Sequence, residues 1–161
     1  MLLRPATAAD AAATAAIYNA EVTGSRVTFD LVTRTVEEQA EWLDARSGAL
    51  EVVVAEIDGA VAGFASLSPY RDRPAYRTTV EDSIYVAADH RGAGVGRALM
   101  DEIVAVARER GFHSVIARIV ADHDASIRLH RAVGFEHVGV EREVGRKFGR
   151  WLDVAVMQLL L

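Results

Sequence analysis

The sequence contains no cysteine, three prolines, one lysine and no long uncharged apolar run, and each scarcity removes a class of protein. Without cysteine there is no disulfide framework, no thiol nucleophile and no cysteine-bound zinc, so covalent chemistry falls to Ser, Thr, Lys or a carboxylate. A composition of 51% hydrophobic and 25% charged residues is far from the signature of a disordered chain. The absence of a repeat of about twenty to fifty residues excludes a solenoid. Nothing approaches the roughly eighteen apolar residues of a membrane span, and Met1-Leu2-Leu3-Arg4-Pro5 lacks the layout of a signal segment. A cytoplasmic protein without a membrane partner is expected. A net charge of −5 argues against nucleic acid as a partner. Lys147 is the single lysine among 18 basic residues; the others are arginines, whose forked guanidinium suits fixed recognition of carboxylate or phosphate.

What is present fits one domain over residues 1–161, since a domain takes about 100 to 200 residues and no linker divides the chain. Thr7 with Asp10 forms a capping-box pattern opening an Ala-rich helix that ends between Asn19 and Gly24, and Thr35 with Glu38 forms a second leading to Trp42 and Leu43. Residues 52–57 and 60–65 read as a hairpin closed by Asp58-Gly59 in a type I′ turn. Residues 70–76 are a polar loop, and residues 78–86 a strand with Val80, Asp82, Ile84 and Val86 on one face and Glu81, Ser83 and Tyr85 on the other. Val95, Leu99, Ile103 and Ala107 mark an amphipathic helix stopped by Gly111. A strand at 115–119, a helix at 124–133 ending at Gly134, and two strands over 138–161 with a bend at Lys147-Phe148-Gly149 complete the chain. This alternation is an α/β (α+β) mixture: one sheet, antiparallel in front with a single β-α-β unit behind, and helices on both faces.

Arg91-Gly92-Ala93-Gly94-Val95-Gly96-Arg97 lies between the strand ending at Val86 and the helix through Leu99. Glycine lets backbone N–H groups approach a ligand, and a helix start leaves donors free, so an anion such as pyrophosphate fits there; a plain turn before a helix is the bland reading. A P-loop fails because Gly96 is followed by Arg97-Ala98 rather than Lys-Ser/Thr. A dinucleotide fingerprint, with Asp122 as its acid, is weakened by the G-x-G-x-G spacing and the lone, late β-α-β unit. His113, His123, His130 and His137 have no spacing suited to zinc, so no metal is expected.

R-x-x-G-x-G, carried by Arg91, Gly94 and Gly96, resembles the acetyl-CoA pyrophosphate loop of the GNAT superfamily of N-acetyltransferases. The segments Thr79-Val80-Glu81-Asp82-Ser83-Ile84-Tyr85-Val86, Ala125-Ser126-Ile127-Arg128-Leu129-His130 with Gly134-Phe135, and residues 144–154 are similar to the phosphinothricin and methionine sulfoximine acetyltransferases. Tyr18-Asn19, Val27-Thr28-Phe29 and residues 71–76 match as well, so the resemblance covers essentially the whole chain.

The resemblance implies a GNAT fold with one mixed, centrally splayed sheet, and acetyl-CoA as cosubstrate. Pantetheine would bond to backbone near Tyr85 and Val86, and pyrophosphate to the amides of Arg91, Gly92, Ala93, Gly94, Val95, Gly96 and Arg97. His123 and Ser126 would flank the coenzyme, with His123 standing where the family usually has Asn. An amine must lose a proton before attack, and the departing thiolate must gain one. Glu81 matches the family's T-V-E glutamate and is the candidate base; against it stands the ordinary fate of a strand Glu as a surface group. His130 stands where many members place a tyrosine acid, four residues after Ser126 on the same helical face. Arg71 and Arg73 would hold the carboxylate of an amino-acid-like small molecule, with Phe29, Tyr76 and Thr28 lining its pocket. The expected reaction is acetylation of the α-amine of such a molecule; other amines, a protein N-terminus, or a sensor that binds CoA without turnover are the alternatives. A homodimer is implied by the family.

Overall fold

The computed structural model describes residues 1–46 and 48–161. In chain order its elements are β1 (Leu2–Pro5), α1 (Ala11–Gly24), α2 (Val36–Asp44), β2 (Val52–Ile57), β3 (Ala60–Pro69), β4 (Thr79–Val86), α3 (Val95–Glu109), β5 (Ser114–Val120), α4 (Asp124–Val133), β6 (Glu136–Lys147) and β7 (Arg150–Leu160). Local chemistry accounts for most boundaries. Thr35 Oγ1 accepts from the Glu38 N–H at 3.1 Å while the Glu38 carboxylate accepts from the Thr35 N–H at 2.7 Å, so α2 starts on a full capping box. The Thr7 and Asp10 box opens a 3-10 turn, Ala8–Asp10, and the α-helix begins only at Ala11. Asp58 and Gly59 both have positive φ, 51° and 80°, as a type I′ turn demands. The expected final bend shifts by one residue: Phe148 and Gly149 make the turn with φ 50° and 74°, whereas Lys147 belongs to β6 and is buried.

The strands form one seven-stranded sheet in the order β1-β2-β3-β4-β5-β7-β6. Every pairing is antiparallel except β4 with β5. Period-two alternation sends Val52 and Val54 of β2 toward α1 and α2, and Val53 and Ala55 toward α3. Two cores result. Leu99, Met100, Ile103 and Ala107 of α3 pack on one face, and Ala11, Tyr18 and Val22 of α1 with Leu43 of α2 pack on the other. Burying side chains this size stabilises by about 1.5–3 kcal/mol each, so helices on both faces is the arrangement that satisfies the sequence. No helix among the described residues is long and apolar enough to cross a membrane.

The β2–β3 register shifts between Ala55 and Glu56, leaving Ala62 of β3 as the extra residue, and the next residue, Gly63, pairs with Val86 of β4. A Cβ at Gly63 would lie 2.7 Å from the Tyr85 carbonyl oxygen, so only glycine permits this approach.

Candidate active site

The parallel pair supplies an opening in the sheet. β4 and β5 are in register only at Thr79↔Ser114, Val80↔Val115 and Glu81↔Ile116, and then diverge. The gap is a cavity of about 500 Å³ walled by Ser83, Tyr85 and Val86 of β4, by residues 117–120 of β5, and by Ser126, Leu129 and His130 of α4. Strand backbone facing such a gap offers hydrogen-bonding groups to an extended amide-containing ligand, in the manner of strand addition.

At its mouth stands the glycine loop. Gly92 and Gly94 have φ of 76° and 83°, and a Cβ at either would meet nothing within 4 Å. Their backbone is therefore in a conformation that side chains resist, beside open space. Gly94 is the N-cap of α3, and the first intrahelical bond runs from Ala98 N–H to the Gly94 carbonyl, leaving the amides of residues 92–97 open to an anion, whereas the Arg91 N–H, also expected in the cradle, donates to the Ala88 carbonyl at 3.3 Å. The side chains of this segment divide. Val95 is buried in the core, and Arg97 bonds to Asp101 at 2.7 Å and to the Ala132 carbonyl, whereas Arg91 lines the cavity and is ion-paired with Glu21. Gly96 brings α3 close to α4, since a Cβ there would sit 3.4 Å from Leu129. A pyrophosphate-bearing coenzyme with an extended amide arm fits these residues: a backbone cradle for the anion and an unpaired strand edge for the arm.

His130 is 2% exposed, and both ring nitrogens meet acceptors. Nδ1 lies 2.8 Å from the Ser126 carbonyl oxygen, and Nε2 lies 3.0 Å from Asp82 Oδ2. Burial alone would lower the imidazole pKa, but the hydrogen bond and charge of Asp82 prevail and raise it. Asp82 was not among the residues expected in the site. Its signal was a lone carboxylate on the strand face shared with Val80, Ile84 and Val86. Ser126 Oγ is 3.3 Å from the same imidazole, and His123 lines the cavity at the head of α4, its pKa lowered first by burial.

Glu81 projects from the opposite face of β4, the face on which Tyr85 meets Phe64 and Tyr18 at ring-centroid distances of 5.2 and 5.1 Å. It is half-buried, and burial raises its pKa against the opposing influence of Arg118. Glu81 does not line the cavity itself. Neither do Phe29, Arg71, Arg73 or Tyr76. Arg71 and Arg73 are exposed on the loop after β3, with the Arg71 guanidinium over the Tyr70 and Tyr76 rings at 4.9 and 5.6 Å; neither forms an ion pair among the described residues. Phe29 is 41% exposed, and its ring lies against Gly145, where any Cβ would collide with it. Lys147 anchors the same loop: its buried Nζ donates to the Thr28 carbonyl at 2.8 Å, and Tyr18 Oη shares a hydrogen bond with Thr28 Oγ1 at 3.0 Å. Gly145 and Lys147, absent from the expected site, hold Thr28 and Phe29 in place.

The profile of the acetyltransferase (GNAT) family matches residues 15–135. An L-methionine sulfoximine/L-methionine sulfone acetyltransferase of Salmonella typhimurium is 40% identical, over 100% of this chain and 95% of that protein. The crystal structure of a ribosomal-protein-alanine N-acetyltransferase from Brucella melitensis superposes with a TM-score of 0.98 at 44% identity, covering both chains completely. That of a phosphinothricin acetyltransferase from Sinorhizobium meliloti, in complex with acetyl-CoA, superposes with a TM-score of 0.95 at 42% identity, over 99% of this chain and 88% of that one.

Proposed function

The chain belongs to the acetyltransferase (GNAT) family, and from that premise we propose that it is an acetyl-CoA-dependent N-acetyltransferase acting on the α-amine of a small amino-acid-like molecule of the phosphinothricin or methionine sulfoximine type. The observation that carries the reading is the β4–β5 gap ending at a glycine cradle with open space above Gly92 and Gly94. The backbone of Tyr85 and Val86 holds the amide arm, the amides of residues 92–97 hold the pyrophosphate, and Ser126 and His123 flank the arm. Bound there, the coenzyme supplies an acetyl thioester.

This chain's residues do the rest from the two faces of β4. Glu81 takes the proton of the acceptor ammonium, directly or through a water, and its raised pKa makes it a better base than an exposed carboxylate. On the other face His130, whose pKa the Asp82 contact raises, is the source of the proton that the departing sulfur needs. Arg71 and Arg73 take the acceptor's carboxylate as forked donors, and Phe29 and Tyr76 shape the space for its side chain. With acetyl-CoA as its cosubstrate, we place the enzyme in the cytoplasm. We also take it to be a homodimer, because the apolar side chains of Val138, Val140, Val144 and Trp151 on β6 and β7 are exposed.

Release of free thiol across a panel of methionine sulfoximine, methionine sulfone, phosphinothricin and ordinary L-amino acids tests the reading. Turnover with the first three and none with NAD-linked chemistry is expected. The likeness to the Brucella protein favours one second reading, acetylation of a protein N-terminal alanine. Faster turnover of an alanine-initiated peptide than of any free amino acid would establish it instead.

A further inference from the structure

Arg91 lines the cavity from the glycine loop, but its side chain is engaged outside the anion cradle. Its Nε donates to the Val86 carbonyl at 3.3 Å, and its guanidinium is ion-paired with Glu21 of α1. The first contact occupies a carbonyl on the strand edge proposed for the amide arm, and the second draws the charge toward α1. Because the Arg91 N–H is spent on the Ala88 carbonyl, the side chain is what this residue can offer an anion. Glu21 is 8% exposed, lines the same cavity and takes a further hydrogen bond from Ser25 Oγ at 2.5 Å. A carboxylate so enclosed depends on its cation, yet it stands in the wall of a site proposed for a diphosphate, where one fixed negative charge repels another. The fold itself uses the backbone of this residue: the Glu21 carbonyl accepts from the Ser25 N–H at 3.1 Å and from Lys147 Nζ at 3.4 Å. The side chain is left for the site.

We propose that Glu21 is a coenzyme-site residue that competes with pyrophosphate for Arg91 and thereby sets acetyl-CoA affinity. This rests on the acetyltransferase reading above. On binding, Arg91 gives up both Glu21 and the Val86 carbonyl, which clears the strand edge, and turns its fork to a phosphate. Glu21 keeps Ser25 and gains the company of His123, which lines the cavity at the head of α4 and whose pKa is lowered by burial and raised by the Glu21 charge. In the opposite arrangement Glu21 would hold Arg91 ready for the phosphate and the pair would persist in the complex. The Val86 contact speaks against that, because an arginine in this pose occupies the carbonyl that the arm requires.

Calorimetric titration of acetyl-CoA into wild type, Glu21→Gln, Arg91→Gln and the double variant tests the competition. Glutamine can still accept from Ser25 but carries no charge. Glu21→Gln should bind acetyl-CoA at least about fivefold more tightly than wild type, the scale of a partly exposed ion pair. Arg91→Gln should cost at least about threefold more affinity in the Glu21→Gln background than in wild type, because only there is the arginine without a rival. A carboxylate with a purely structural role predicts equal or weaker binding in Glu21→Gln, and a pair that persists in the complex predicts weaker binding with the reverse coupling. Either result overturns the proposal. Should Glu21→Gln lose its fold by circular dichroism, Glu21→Met, which sets an apolar side chain of similar length beside the buried Tyr18 and Val22, carries the same expectation. Absence of acetyl-CoA binding in wild type would overturn the coenzyme reading and this proposal with it, whereas wild-type binding without the gain in Glu21→Gln overturns the proposal alone.

Discussion

The two sides of β4 are built differently. On the side proposed for the coenzyme the groups on offer are backbone: a strand edge released at Glu81↔Ile116, glycines at φ 76° and 83°, and the first amides of α3. On the side proposed for the acceptor the groups are side chains on loops, with Arg71 and Arg73 exposed and Phe29 seated on a neighbouring hairpin. Backbone geometry is common to any chain that keeps the turn, whereas loop side chains set which acceptor is taken. On this proposal cofactor use and acceptor choice are separable, and each can be broken alone.

The largest effect is expected at the junction of the two sides. Glu81→Gln should reduce kcat by about 10²-fold or more, the usual contribution of positioned proton transfer. Because burial raises the Glu81 pKa, the acidic limb of the wild-type rate profile should lie above the ordinary glutamate range and vanish in the variant. A variant that keeps both limb and magnitude would make Glu81 structural. Next comes Arg71→Ala, which should raise the amino-acid KM by about tenfold, the loss of one charge-assisted contact, and leave acetyl-CoA affinity unmoved. A decarboxylated acceptor should not distinguish the variant from wild type.

The smallest effect concerns stability rather than turnover. Asp10 receives paired hydrogen bonds from Arg4 at 2.8 Å and another from the Thr7 N–H, and these hold its pKa at about 2. A depressed carboxylate stabilises the fold above its unfolded pKa and stops doing so as pH falls through the folded value. Unfolding free energy should therefore drop by about 2 kcal/mol between pH 4 and pH 2, and Arg4→Ala should flatten that slope in urea titrations followed by circular dichroism.

The glycine turn and the strand and helix that flank it were legible in the sequence because their determinants are local. Glycines at alternate positions, a helix of period four through Leu99 and Ile103, and a strand ending at Val86 specify the cradle within one stretch of chain. The 3-10 turn before α1 was missed because Asp10 answers to Arg4 on β1 as well as to its own capping box. Asp82 was placed on the correct strand face, but its partnership with His130 spans 48 residues, and no local pattern announces such a contact. Lys147 was assigned to a bend on the strength of the Phe148-Gly149 turn beside it; its buried bond to the Thr28 carbonyl depends on how β6 packs against the loop after α1. Arg71, Arg73 and Phe29 entered by resemblance, and their exposure on loops explains why composition alone was silent about them.

One measurement addresses the division between the two sides most directly: calorimetric titration of acetyl-CoA into wild type, Gly94→Val and Arg71→Ala, each checked for fold by circular dichroism. Gly94 has φ 83° with open space above it, so a branched side chain there both resists the backbone conformation and occupies the ligand's approach. The account predicts that Gly94→Val weakens acetyl-CoA binding by at least about tenfold, the equivalent of 1.4 kcal/mol, while Arg71→Ala binds as wild type does. Equal affinity in Gly94→Val, or a loss confined to Arg71→Ala, would contradict it.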